Sequence, residues 1–454
     1  RIRRPCSKAA DLPFAERQRL WAERLSPLAG QAPGMHAAYL TAIRSCELPT
    51  ARERKAFLRI AISLLPEVGT KVALYRRLVS EPAIADAVYR SILARVVTQD
   101  DLRALSAALG LATADPVELE TALAKSTTAS ERASVLVRFA ARYPDDRSLQ
   151  LAMLDALEDA GDDGAALALA RKLLRRSDAD ARVRTAVGEL YLRVAKKRAQ
   201  ATPAEREQLE REAKRAFGEL VEFSPEDPVA RRRLGDLLRA HGYHAEAQRQ
   251  YETLAKLSPD DPSVALLLAS AAEGLGKLEE AVRWTEKGAK AGAPDASQGP
   301  HVTARALAAT FLAWGKLEAR REGKKEELEA LGARLARVMA DERREGGTRV
   351  VLSWSHPDLH PSLWTDASGR LGPAPEGDPT MGVAQAIAGK GPVRIEVRVE
   401  RGELEAAARL GAEAVLTVVS DEGTDDEVIH REKLVFARSG PTPVLLLDGK
   451  TLRR

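Results

Sequence analysis

Apolar residues recur every three to four positions through the first three quarters of the chain, and close to every second position after that. The first rhythm predicts amphipathic helices and the second predicts strands with one buried face. After Pro13, Leu20, Trp21 and Leu25 share one helical face, with Trp21 as a core anchor. Residues 51–65, 71–79 and 84–97 repeat the pattern, punctuated by Pro66, Gly69 and Pro82. From residue 113 the helices come in pairs. The first pair runs from Pro116 to Ala141 and stops at Pro144. The second places helices over 149–157 and 165–174, joined at Gly161. The third starts at Ala181, carries Val187-Gly188 and Tyr191, and closes with Ala213, Phe217, Leu220 and Pro225. Residues 228–259 and 262–294 form two more pairs, and 303–314 with 324–339 a last one.

The two pairs after residue 225 carry a period. Pro225 and Pro259 lie 34 residues apart, and Leu234, Gly242 and Ala247 return as Leu268, Gly276 and Ala281. Each position has a physical task. Glycine at the inter-helix turn permits a backbone that a Cβ hinders. Alanine lets the second helix approach the first, the following aromatic fills the groove, and proline stops the helix. Leu234-Gly235, Gly242, Ala247, Tyr251 and Pro259 supply the full set. A 34-residue helix–turn–helix period resembles the tetratricopeptide (TPR) family over roughly 113–294. The resemblance implies an α-solenoid whose concave face binds protein partners, with no cofactor. The third pair departs from it. Gly188 and Ala213 are 25 residues apart where Gly235 and Ala247 are 12 apart. The insertion predicts longer helices, with Thr202-Pro203-Ala204-Glu205 as a capping box that restarts the second one.

Gly346-Gly347 ends the helical rhythm. Residues 349–354, 393–399, 414–419, 427–436 and 444–447 alternate β-branched with polar residues, which predicts an antiparallel β-sandwich. The fold class is therefore multi-domain α plus β, a TPR-like α-solenoid followed by a small sandwich. The expected boundaries are 1–112 for irregular helical hairpins, 113–345 for repeats and capping helices, and 346–454 for the sandwich. The last segment holds 13 basic and 16 acidic residues, a net −3 against +7 for the rest.

Bulk properties change this picture little. A net charge of +4 over 454 residues and 4% aromatics do not predict a nucleic-acid partner. No run of 18 apolar residues predicts a membrane span. The chain starts without Met, as expected for a segment of a longer gene product. Gly-rich phosphate loops and a Gly-x-Ser-x-Gly elbow are absent, so no catalytic residues are expected. The two cysteines, Cys6 and Cys46, fit either a disulfide clamping two helices or two buried thiols. A disulfide implies a periplasmic or cell-envelope location, and free thiols a cytoplasmic one.

The densest polar cluster runs from Trp354 to Asp366 and on to Ser368-Gly369. His356, Asp358, His360 and Asp366 are candidate metal ligands, because imidazole and carboxylate suit zinc and clustered carboxylates suit calcium. The acidic loop Asp421-Glu422 and Asp425-Asp426-Glu427 offers further oxygens. Pro357 and Pro361 exclude one helix that would align His356 with His360. The order Trp354, Asp358, Leu363, Asp366, Gly369 resembles the opening of the YfaP/DUF2135-type β-sandwich of bacterial envelope proteins. The expected function is a non-catalytic protein–protein interaction scaffold. The alternative is an envelope accessory module whose sandwich binds a glycan or a metal ion.

Overall fold

In the computed structural model the chain forms two compact units, residues 1–230 and 231–454. The structure describes residues 6, 12–29, 36–176, 179–197, 202–222, 225–259, 261–291, 300–338, 346–366, 372–373, 376–378, 382–389, 391–399, 408–409, 411–436, 444–448 and 451–453.

Among the described residues the first unit is helical throughout. Its helices are α1 (Phe14–Ala29), α2 (His36–Arg44), α3 (Ala51–Ser63), α4 (Val68–Leu78), α5 (Pro82–Leu93) and α6 (Gln99–Leu109). They continue with α7 (Pro116–Ala124), α8 (Ala129–Arg142), α9 (Arg147–Asp159), α10 (Asp163–Leu174), α11 (Ala181–Lys197) and α12 (Pro203–Glu222). Local chemistry sets many of the starts. Thr50 with Glu53, Thr98 with Asp101 and Thr128 with Glu131 are capping boxes, each satisfying backbone N–H groups that a first turn leaves over. Thr202 and Glu205 exchange the same bonds before α12, as the sequence predicts. The core opens on Trp21, fully buried and edge-on to Phe57 at 5.5 Å between ring centroids. It continues through Leu102 and Leu105 to Val187 and Tyr191. Helices α11 and α12 have 17 and 20 residues, so the insertion lengthens both.

The second unit holds most of α13 (Pro228–Ala240), then α14 (His244–Leu257), α15 (Pro262–Gly274), α16 (Leu278–Ala291), α17 (Pro300–Arg321) and α18 (Lys325–Val338). The strands follow: β1 (Thr348–Trp354), β2 (Ser362–Thr365), β3 (Gly372–Pro373), β4 (Glu376–Asp378), β5 (Val383–Ala388), β6 (Val393–Arg398), β7 (Glu413–Ser420), β8 (Val428–Val435), β9 (Val444–Asp448) and β10 (Thr451–Arg453). They make two five-stranded antiparallel sheets, ordered β4-β5-β1-β7-β8 and β10-β9-β6-β2-β3. Val350, Leu352, Leu416 and Val418 from the first sheet share one core with Ile395, Val397, Leu445 and Leu447 from the second.

Alternation along β1 and β7 is real, yet both faces are buried. Every residue of β1 except Ser353 is buried. The inward set fills the sandwich. On the outer face Val419 and Ile429 pack against Ala313 and Leu317 of α17. Trp314 Nε1 on the same helix donates to Thr417 Oγ1 at 2.8 Å. The sandwich therefore shares a unit, and a core contact, with the helices that precede it.

Candidate functional site

The repeat positions carry the most regular geometry in the chain. Gly242 and Gly276 end α13 and α15 in the left-handed region, at φ 80° and 73°. Tyr243 N–H donates to Leu238 O at 2.8 Å, and Lys277 N–H to Ala272 O at 2.9 Å. Each bond closes a six-residue helix-terminating turn that only glycine enters without strain. Gly110, Gly161 and Gly323 repeat this turn, with φ between 68° and 79°. Leu234, Ala247, Tyr251, Leu268 and Ala281 are all buried, and Pro259 lies in the turn that ends the fourth pair. A Cβ on Gly235 would overlap the Tyr251 ring, which is why that position is glycine. Tyr251 Oη donates to Asp236 Oδ1 at 2.7 Å. Gly188 has the same relation to the buried ring of Phe217 on α12. The small-residue-under-aromatic contact therefore recurs in both units, including the pair with the insertion.

The four candidate ligands do not converge. Among the described residues no three of them offer ligand atoms close enough together for one ion. Asp358 forms a bidentate pair with Arg233 of α13, both contacts at 2.6 Å. His356 is buried, accepts from Asp358 N–H at 3.2 Å through Nδ1, and stands edge-on to His241 at 6.1 Å. Asp366 accepts from Arg394 N–H at 2.8 Å and closes the β2–β6 ladder. His360 is exposed. Two of the candidate carboxylates are thus engaged otherwise, Asp358 with an arginine and Asp366 with a backbone donor. Ser368-Gly369 lie outside the described residues. Trp354 is sandwich core, while the Trp364 ring carries the Arg398 guanidinium 3.8 Å above it.

Two glutamates of the acidic loop are engaged in the same way. Glu422 grips Arg349 at 3.1 and 3.3 Å, and Arg349 Nη1 also donates to Gln385 Oε1 at 3.0 Å. Glu427 is buried against Lys316 Nζ of α17, and accepts from Gly423 N–H at 2.9 Å. Arg320 donates to the Glu427 carbonyl at 3.1 Å. Arg431 lies 3.7 Å over the Trp314 ring and pairs with Glu273 of α15, whose carboxyl burial holds above the usual carboxylate range. These side chains fasten the sandwich to α13, α15 and α17. The sequence carried no signal for this pairing, because the partners lie more than 100 residues apart.

In the first unit Cys6 and Cys46 are joined as a disulfide, their Cα atoms 5.6 Å apart. Cys46 also lines a half-open cavity of about 170 Å³ between α2, α3 and the α4–α5 connection. Its apolar wall is Ile43, Leu48, Phe57, Leu78 and Ile84, and Arg44, Arg54 and Glu81 supply its polar groups. Arg54 donates to Leu48 O at 3.2 Å and to Glu81 Oε2 at 3.3 Å. Periodicity gave no hint of this cavity, since its walls come from four helices and two connections.

No protein-family model matches the chain, and no curated protein does. Solved structures do. TTC0263, a TPR protein of Thermus thermophilus, is 18% identical with a TM-score of 0.27, over 43% of this chain and 94% of that one. MamA is 17% identical with a TM-score of 0.26, over 38% of this chain and 87% of that one. The human IFIT1 dimer solved with PPP-AAAA is 15% identical with a TM-score of 0.31, over 72% of this chain and 83% of that one. At such scores the likeness adds no weight of its own. The recurring glycine-capped turns and glycine-under-aromatic contacts show that this chain is built of TPR-like helix–turn–helix repeats followed by an antiparallel β region.

Proposed function

We propose that the chain is a non-catalytic protein–protein interaction scaffold. Its TPR-like helices receive a partner, and the sandwich supplies a second contact surface. The observation that carries this reading is the repeated helix-pair geometry, in which the recurring residues serve packing and turns. Buried charges near the sandwich are engaged with one another, which leaves its polar cluster a structural fastening. The Cys6–Cys46 pair supports an oxidising compartment, the periplasm or cell envelope, where such bonds persist. The resemblance of 354–369 to the YfaP-type domain points the same way. Affinity capture of the native chain after cross-linking tests the reading. A protein recovered in fixed ratio is expected. Recovery of no protein, with saturable binding or turnover of a small molecule, overturns it.

A further inference from the structure

We propose that the cavity beside Cys46 is an anchor pocket for one large apolar side chain of a partner polypeptide, of the phenylalanine or leucine class, flanked by an acidic residue. Its size selects the occupant. Pockets for drug-sized ligands run from about 300 to 1,000 Å³, whereas an apolar cavity of about 150 Å³ takes a single benzene ring. At about 170 Å³ this one suits one side chain and excludes a nucleotide or an extended cofactor. Its wall has the matching chemistry, with Ile43, Phe57 and Ile84 buried at its base. Charge at the mouth selects the neighbour. Glu81 is already paired with Arg54, so exposed Arg44 leaves a net positive edge. Anchors of this kind, an apolar group in a pocket with a charged rim, carry much of the energy of protein recognition.

The pocket deepens the scaffold reading and rests on it. The test uses the full oxidised chain with labelled isoleucine methyl groups, titrated with Ac-Phe-Glu-NH2, Ac-Ala-Glu-NH2 and Ac-Phe-Lys-NH2. Saturable shifts at Ile43 and Ile84 are expected with Ac-Phe-Glu-NH2. Binding of the alanine peptide is expected to be ~10- to 100-fold weaker, from the apolar surface left unburied. The lysine peptide is expected to bind more weakly than its glutamate counterpart. Ser80→Trp, which places a bulky ring at the exposed mouth, and Arg44→Glu are each expected to weaken binding without changing methyl signals elsewhere. The proposal is overturned if the phenylalanine peptide gives no saturable shift, if the alanine peptide binds equally well, or if neither substitution weakens binding. A partner still captured in fixed ratio by the Ser80→Trp chain, alongside any of those failures, overturns the pocket and leaves the scaffold standing.

Discussion

Single residues show where the sequence pattern has physical force. Gly188 and Gly218 both lie within helices of the first unit, where glycine ordinarily costs roughly 0.5–1 kcal/mol relative to alanine. A Cβ at Gly218 meets open space, so Gly218→Ala is expected to stabilise the fold by that amount in urea unfolding. A Cβ at Gly188 strikes the buried Phe217 ring, so Gly188→Ala is expected to cost ~1–3 kcal/mol despite its better helix propensity. Equal effects at the two sites would contradict the packing account. Lys71 makes a second case. Its ammonium is buried on α4 and donates to Leu65 O at 2.5 Å. Burial, aided by Arg95 and opposed by Asp101 and Asp227, pushes it down to about 8. The unfolded chain therefore holds more protons than the folded one between about pH 8 and the ordinary lysine value near 10.4, and stability rises with pH across that window. Below pH 8 the penalty is fully present, on the order of 3 kcal/mol. Lys71→Met is expected to remove this rise, which urea melts from pH 7.5 to 10.5 would register.

At the scale of elements, the Cys6–Cys46 bond closes a loop of 40 residues over α1 and α2. Chain entropy puts its contribution at about 4 kcal/mol. Reduction, or the paired change to serine, is expected to lower the unfolding midpoint of the first unit; an unchanged midpoint would contradict the clamp. The β7–β8 loop makes the complementary case. Removing the Glu427 carboxylate strands the Lys316 ammonium in a buried site, so Glu427→Ala is expected to cost ~3–5 kcal/mol. The double change Lys316→Met, Glu427→Leu should recover most of it, and a double variant as unstable as the single would contradict the pairing. These elements were unevenly legible. Capping boxes, the glycine turns and the strands richest in valine stand out, because each is a local rule. Helices α2 and α6 were not singled out by the periodicity. Strand β2 was hidden inside the polar cluster, and β5, Val-Ala-Gln-Ala-Ile-Ala, is too rich in alanine to stand out. Asp358 shows its chemistry in the sequence without its partner. Arg233, which takes Asp358, lies 125 residues away.

At the scale of the whole molecule, the change at Gly346 from helical to strand rhythm marks a change of secondary structure within one compact unit that spans 231–454. Helix α17 shows why. Its Trp314, Lys316 and Arg320 face the first sheet, so the outer side of β1 and β7 meets protein where alternation alone implies solvent. On the proposed reading, the chain presents its repeat surface to a protein partner. The most direct measurement of that claim is sedimentation of the purified chain with its captured partner, using wild type and a chain carrying substitutions on the exposed face of the repeats. The account predicts a complex of fixed stoichiometry that the substituted chain, still folded, fails to form. Independent sedimentation of wild type and partner at every concentration would contradict it.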